Sequence, residues 1–486
     1  MNMVSFFPIR NVVGFLLMIV GGMMLTCIPF SLYFGESDWK AIGGAALVTA
    51  FAGFLFRQFK PNEGNNQVRK REGYLIVASG WISMVLFSAL PYLFSGLFDN
   101  PVDAFFESIS GMTTTGATIL NDIESMPKGL LFWRSLTQWI GGMGIIVLTV
   151  ALFPLLGIGG IELFVAEAPG PTSDKIHPRI QQTAKSLWLI YVSFTGILML
   201  ILWAAGMSFY DAINHALTTM ATGGFSTQNA SIAAYNTPLI QYPILLFMFL
   251  AGINYTLIYW GLQGKLKKVW ASDEFKVYLS FVLIIGIAVS GSILFHTDLS
   301  IEESIRTGFF QVVSLITTTG YVSADYTLWG PGTTMIFFCL LFVGASAGST
   351  SGGIKLVRHW VFLKNTILEF RRLIHPRAVL PIKMNGNVVN AKILSHIQVF
   401  LLLYLALFII GSFVVSIMGL DFETATSAVA TALGNVGPGI GKVGPTDNFA
   451  WLPNNVKITL SLLMILGRLE LFTILVLFTP YFWKSN

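Results

Sequence analysis

Thr113-Thr114-Thr115-Gly116, Ala221-Thr222-Gly223-Gly224, Thr317-Thr318-Thr319-Gly320 and Gly434-Asn435-Val436-Gly437 are four small polar turns set along a very apolar chain. Each follows an apolar run too short to cross a bilayer, and each is flanked by runs long enough to do so. The unit is a span, a half-length helix, a glycine turn and a second span, and it occurs four times. A unit recurring at similar spacing marks a repeat architecture. Four copies can surround one axis, and a turn with glycine exposes backbone carbonyls, the material of a cation filter.

The bulk properties agree with a membrane setting. The 486 residues are 54% hydrophobic and 11% charged, with a mean hydropathy of +0.71, whereas a soluble globular chain carries roughly 25% charged residues. Alternating strand patterns are absent, which argues against an outer-membrane barrel. The net charge of +5 does not point to nucleic acid, because 22 of the 29 Lys and Arg crowd into Arg57 to Arg71, Lys175 to Lys185, Lys265 to Lys276 and Lys355 to Lys392, with Arg10 and Lys484. The positive-inside rule puts these connectors in the cytoplasm and the glycine turns on the outer side. Cys27 and Cys339 lie in apolar runs and read as small buried residues without a disulfide framework. The first apolar run, Asn11 to Leu32, is too long for a signal-peptide core and lacks a small-x-small cleavage site, so it reads as a span.

The expected organisation is all-α and integral to the membrane. Residues 1–70 hold a helix pair (11–33 and 39–58). Repeat 1 is 71–182, with spans 73–97 and 129–157 around a short helix 101–112. Repeat 2 is 183–274, with spans 185–207 and 238–264 around 209–220. Repeat 3 is 275–390, with spans 276–296 and 331–370 around 302–316, the second span being interrupted at 344–353. Repeat 4 is 391–486, with spans 392–418 and 455–483 around 421–433. A helix of about 10–15 residues rises roughly 15–22 Å against a hydrocarbon core of about 30 Å, so each short helix enters and returns on one side. Irregular backbone at that depth survives only buried in protein or facing water. Asp103, Asp211 and Asp421 stand where N-terminal caps would. The C-terminal ends then point inward, and four partial negative charges aimed at one place favour a cation.

With these four turns and the run Gly344-Ala-Ser-Ala-Gly-Ser-Thr-Ser-Gly-Gly353, the chain resembles the superfamily of K+ transporters that includes bacterial Trk and Ktr and plant HKT proteins, and most of all its TrkH branch. The N-terminal helix pair separates it from Ktr-type subunits. The likeness spans nearly the whole chain. It implies four tandem helix–pore-helix–helix repeats around one pore, a homodimer with one pore per subunit, and a cytosolic ring of nucleotide-binding regulatory subunits, called TrkA. It implies K+ (and Rb+) uptake across the bacterial inner membrane, with K+ as the transported ion and no catalytic cofactor. The expected filter is Thr114, Thr115 and Gly116; Ala221, Thr222 and Gly223; Thr318, Thr319 and Gly320; and Asn435, Val436 and Gly437. In the fourth turn Gly437 is chosen over Gly434, because the family pattern there is Asn-Val-Gly. With about one key glycine per turn and four unlike turns, discrimination of K+ from Na+ should be weaker than in a four-fold K+ channel filter.

Ten residues without a large side chain, Gly344, Ala345, Ser346, Ala347, Gly348, Ser349, Thr350, Ser351, Gly352 and Gly353, interrupt the second span of repeat 3 just past mid-membrane. Glycine inside a helix costs about 1 kcal/mol over alanine, so a regular helix is not expected there. The run reads as a gating loop below the filter. A passive kink is the rival reading; a phosphate-binding loop fails on spacing and on the absence of a preceding strand. Arg468, in the last span within Leu462 to Leu477, is expected either to face the pore beside this loop, where it repels cations or binds loop carbonyls, or to pair with an acid such as Glu470. The basic stretches Lys355 to Lys392 and Lys175 to Lys185 are candidate contacts for the regulatory ring or for lipid headgroups.

The six histidines are dispersed, and no catalytic or metal-ligand constellation is readable, so the chain is expected not to be an enzyme. The competing transport mechanism is a K+ symporter coupled to H+ or Na+. Such carriers usually show inverted repeats and ionisable residues at a midplane site, whereas these repeats all start from one side.

Overall fold

The four short helices begin on caps that their sequences specify. Asn100 accepts from the Val102 N–H at 3.0 Å, Ser208 from Asp211 at 3.0 Å, and Asp421 from Thr424 at 2.9 Å. Ser300 and Glu303 form a reciprocal capping box. Of the three aspartates expected as caps, only Asp421 is one. Asp103 and Asp211 sit one turn further in, where a carboxylate still meets the positive end of the helix dipole. Asp103 takes Lys457 Nζ at 2.7 Å, and Asp211 takes the hydroxyls of Ser208 and Thr227, each at 2.6 Å. Hydrogen bonding holds three of the carboxyls at these starts below the usual range, Glu302 through the Arg306 guanidinium, Glu303 through the Ser300 hydroxyl and Asp421 through the Thr424 backbone N–H.

The computed structural model describes residues 6–58, 70–147 and 180–484. The far part of the span expected at 129–157, and Lys175 and Arg179 of the expected basic loop, lie outside them. Among the described residues six helices are long and apolar enough to cross a bilayer, or up to eight if each of two bent pairs is one span. The N-terminal pair, Phe6–Leu25 with Ile28–Tyr33 and Trp39–Arg57, packs on the first repeat. The outer helices of the repeats are Lys70–Ser88, Ile180–Ala204, Asp273–His296 and Ala391–Ile417. The short helices are Pro101–Met112, Phe209–Met220, Ile301–Ile316 and Phe422–Gly434. The inner helices are Lys128–Val147, Pro238–Ala251, Pro331–Leu340 and Asn454–Arg468.

The repeats close on themselves. The first three short helices each pack on the inner helix of their own repeat and on that of the preceding one, the first reaching round to the fourth. The fourth packs on its own inner helix, and a Cβ on Gly434 at its end would lie 2.7 Å from Leu341 O beside the third. The outer helices turn apolar side chains outward, as Leu402, Ile409, Ile410 and Phe413 do in repeat 4. Cys339 is likewise exposed on its helix, correcting its expected burial; Cys27 is buried.

The inner helices depart from expectation. An interruption was expected only in repeat 3, yet those of repeats 2 and 4 also break. Pro238–Ala251 and Tyr255–Leu262 meet at 109°, and Asn454–Arg468 and Phe472–Phe478 at 104°. Asn254 restarts its helix by accepting from the Thr256 N–H at 2.9 Å. In repeat 4 the break passes through Glu470 and Leu471, both at positive φ. Averaged hydropathy hides these corners, because each bent pair together is apolar enough to pass as one span.

Candidate functional site: four turns and an intramembrane loop

Each short helix ends in the same way. The residues after the helices, Thr114, Thr222, Thr318 and Asn435, all take left-handed backbone, at φ 53°, 53°, 55° and 53°. The next N–H reaches five residues back, Thr115 to Ser110, Gly223 to Thr218, Thr319 to Ser314 and Val436 to Thr431, at 2.8–3.0 Å. This is the Schellman ending. Three of the four left-handed residues are threonine, a β-branched type for which this conformation is an outlier. Four equivalent outliers at one place mark a site rather than an accident of a loop.

That common ending fixes the register. Gly116, Gly224, Gly320 and Gly437 occupy the second position after the left-handed residue, and all four have positive φ. The repeat 2 triplet expected as Ala221, Thr222 and Gly223 is therefore one residue early; the structural equivalents are Thr222, Gly223 and Gly224. Two adjacent glycines made the sequence ambiguous there. In repeat 4 the position belongs to Gly437, while Gly434 ends the helix.

The four turns meet. A Cβ on Gly116 would run into Gly223 O, one on Gly224 into Thr319 O, and one on Gly320 into Val436 O; one on Gly437 would lie 2.7 Å from Thr115 O. Each turn thus lays its glycine against the carbonyl of the next, and the fourth returns to the first. The carbonyls two residues further on are tied outward. Phe449 N donates to Thr118 O (2.8 Å) and Ala233 N to Val322 O (3.0 Å). Arg134 donates to Ser226 O (3.0 Å) and the Tyr326 hydroxyl to Gly439 O (2.6 Å).

The threonine hydroxyls, expected to add to the ring, are partly committed elsewhere. Thr115 bonds Thr113 and Thr319 bonds Thr317, each at 2.8 Å, and Asn435 Nδ2 donates to Thr115 Oγ1 at 3.0 Å. Buried oxygens without a protein partner remain on Thr114 and on Asn435 Oδ1.

Behind the first two turns lies a buried ion pair that the sequence reading missed. Arg134 Nε meets Glu107 at 2.6 Å, with both side chains almost wholly buried. Glu107 also takes the Thr118 hydroxyl and the Ile119 N–H, and the guanidinium lies 3.5 Å from the centre of the Phe225 ring. Polar residues inside the span 129–157 were the available signal. Removing one partner of such a pair leaves a buried charge. Arg134→Met is expected to lower stability by about 3–5 kcal/mol, read as earlier thermal unfolding of the purified protein in detergent.

The interrupted run 344–353 is a closed loop. Its neck is held by Gly344 N to Ile354 O (2.8 Å) and Leu356 N to Ala345 O (3.1 Å). Its tip lies under the ends of the short helices. Thr350 Oγ1 donates to Met220 O at 3.1 Å, Gly352 N donates to Thr318 Oγ1 at 2.7 Å, and a Cβ on Gly352 would lie 2.7 Å from Gly434 O. Ser346 N also donates to Gly252 O, at 3.0 Å, at the break of repeat 2. Arg468 donates to Thr350 O at 2.9 Å and to Gly141 O at 3.1 Å. Of the two expected roles it takes the contact with loop carbonyls, because Glu470 pairs with Arg358 instead. Lys355, expected as the first residue of the exposed basic stretch, is instead buried and donates to Ser351 O, to Ser351 Oγ (3.1 Å) and to Gly352 O (3.3 Å).

A family model described as TrkH, cation transport protein, matches residues 42–287 and 284–485. The chain belongs to the TrkH family. The Trk system potassium uptake protein TrkH of Salmonella typhimurium is 39% identical over 99% of this chain and 100% of its own length. TrkG of Escherichia coli K12, also a Trk system potassium uptake protein, is 34% identical over 98% of each chain. The crystal structure of the potassium transporter TrkH from Vibrio parahaemolyticus aligns with a TM-score of 0.90 and 33% identity, over 99% of this chain and 100% of the other. This TrkH-family chain is thus a multi-pass membrane transporter and not an enzyme, with the four-repeat pore-helix fold.

Proposed function

We propose that this chain carries K+, and with it Rb+, into the cell across the bacterial inner membrane through a gated, channel-like pore. The observation that carries the reading is the closed ring in which each turn's glycine abuts the next turn's carbonyl. The helix ends below it direct partial negative charge to the same place. The names of the relatives, potassium uptake proteins, support K+ as the ion. The proposed filter is Thr114, Thr115 and Gly116; Thr222, Gly223 and Gly224; Thr318, Thr319 and Gly320; and Asn435, Val436 and Gly437. The proposed gate is the loop 344–353 with Arg468. The basic connectors face the cytoplasm under the positive-inside rule, and Lys364 to Lys392, the part of the basic stretch beyond the buried Lys355 and Arg358, is the proposed contact for a cytosolic regulatory ring on a homodimer.

Recording from the purified protein in planar bilayers tests the mechanism. Discrete conductance steps reversing near the K+ equilibrium potential are expected. Movement of H+ or Na+ in fixed ratio to K+ would replace the pore with a coupled carrier. Deleting Ser346 to Gly352, whose neck residues are already bonded across the loop, is expected to raise unregulated Rb+ uptake into liposomes by about tenfold, a shift of about 1.4 kcal/mol in the closed–open balance. Unchanged uptake would make the loop a passive kink.

A further inference from the structure

Repeat 2 carries two consecutive glycines in its turn, Gly223-Gly224, where the same two positions in the other repeats read Thr115-Gly116, Thr319-Gly320 and Val436-Gly437. Gly224 has the positive φ and the close approach to Thr319 O common to its position. Gly223 has neither reason, since its φ is not positive. What it meets is a side chain. A Cβ on Gly223 would overlap the amide of Gln138, with Nε2 2.7 Å away.

Gln138 lies on the inner helix of repeat 1, four residues after Arg134, so both side chains leave one helix face. Both end on the turn of repeat 2. Arg134 holds Ser226 O. Gln138 Nε2 donates to Gly223 O at 2.7 Å, and its Oε1 accepts from the Phe225 N–H at 3.0 Å. The amide thus spans the turn, and it is itself wholly buried. Among the described residues the equivalent carbonyls of Thr115, Thr319 and Val436 take no hydrogen-bond donor.

We propose that Gln138 is a specificity-determining positioning residue, which holds one of the four ring carbonyls by its side-chain amide and leaves the other three unheld. The inference rests on the pore reading above. An N–H donor draws on the lone pairs of a carbonyl and fixes its direction. Discrimination among cations depends on how many oxygens face the ion, how strongly, and how far they can move. A held Gly223 carbonyl cannot swing inward to follow the smaller Na+. Releasing it improves the fit to Na+ at the expense of K+.

The test measures the Na+/K+ permeability ratio of the full-length protein in planar bilayers. The variants are Gln138→Leu, Gln138→Asn and the pair Gln138→Ala with Gly223→Thr, which gives the second turn the residue of the first and third. The wild type in the same bilayers checks the underlying reading: a wild type that does not prefer K+ removes the pore assignment itself. Given that preference, the ratio is expected to rise by about fivefold in Gln138→Leu, the weight of one net hydrogen bond. The paired variant should change it in the same direction without the clash at residue 223. An unchanged ratio overturns the proposal, whether fluxes are retained or K+ and Na+ fluxes fall together, because a purely structural role lowers both alike. For a variant conducting too little to read, protection of the purified protein against heat unfolding by KCl and by NaCl gives the same comparison. The difference between the salts shrinks under the proposal and is retained if Gln138 only supports the fold.

Discussion

Gly224→Ala is expected to lower K+ uptake by about 100-fold in cells that depend on this transporter, equivalent to about 2.7 kcal/mol. Two costs combine. The residue has φ +76°, a conformation that an L side chain rarely adopts, at about 1 kcal/mol or more. The added methyl would also occupy the space of Thr319 O, a backbone atom of the neighbouring turn, with the Thr319 and Gly320 carbonyl carbons close behind. No rotamer change relieves that overlap, so the third turn must shift and the ring opens. Gly35→Ala separates the two costs, because Gly35 has φ +71° with nothing within 4 Å of a Cβ. That variant carries the backbone strain alone, and uptake within about twofold of wild type is expected. Uptake of 86Rb+ at matched membrane levels measures both. Equal losses in the two variants would mean that strain, and not contact between turns, sets the requirement for glycine.

The repeat structure was legible because the glycine turns and the short apolar runs are local in sequence. So was the loop 344–353, since ten consecutive small residues cannot continue a helix cheaply. The register of repeat 2 was not. Gly223 and Gly224 are both consistent with a turn, and only the shared helix ending of Thr114, Thr222, Thr318 and Asn435 chooses between them. Asp103 and Asp211 were taken as caps because aspartate favours that position, yet Asn100 and Ser208 stand three residues earlier and serve instead. The breaks after Ala251 and Arg468 left no mark in hydropathy. Gln138, Arg134 and Glu107 were missed for a different reason. Their partners lie in other segments, Glu107 to Arg134 across a loop and Gln138 to Gly223 across repeats. Polar residues in an apolar span announce a buried role, but spacing alone does not name the partner.

Arg468→Gln is expected to raise basal Rb+ flux in liposomes, without any regulator, by about tenfold or more. The guanidinium ties three elements together: its own helix in repeat 4, Thr350 O at the tip of the loop, and Gly141 O in repeat 1. Each bond is a charge-assisted donor to a neutral carbonyl, worth about 1.5–3 kcal/mol when the alternative is an unpaired buried oxygen. The loop keeps other holds, from Thr350 to Met220 O, from Gly352 to Thr318 and from Lys355 to Ser351 and Gly352. Loss of Arg468 therefore loosens the tip while leaving the neck at Gly344 and Ile354 closed. Losing the positive charge works in the same direction, since a fixed cation beside the path repels a permeating one. Arg468→Lys distinguishes the contributions. It keeps the charge but cannot reach both carbonyls with a planar fork. If repulsion dominates, its leak stays near that of the wild type; if the bonds to Thr350 and Gly141 dominate, its leak approaches that of Arg468→Gln. The geometry favours the second outcome, because the guanidinium is buried and both of its hydrogen bonds end on backbone oxygens that a shorter or more mobile donor leaves unpaired.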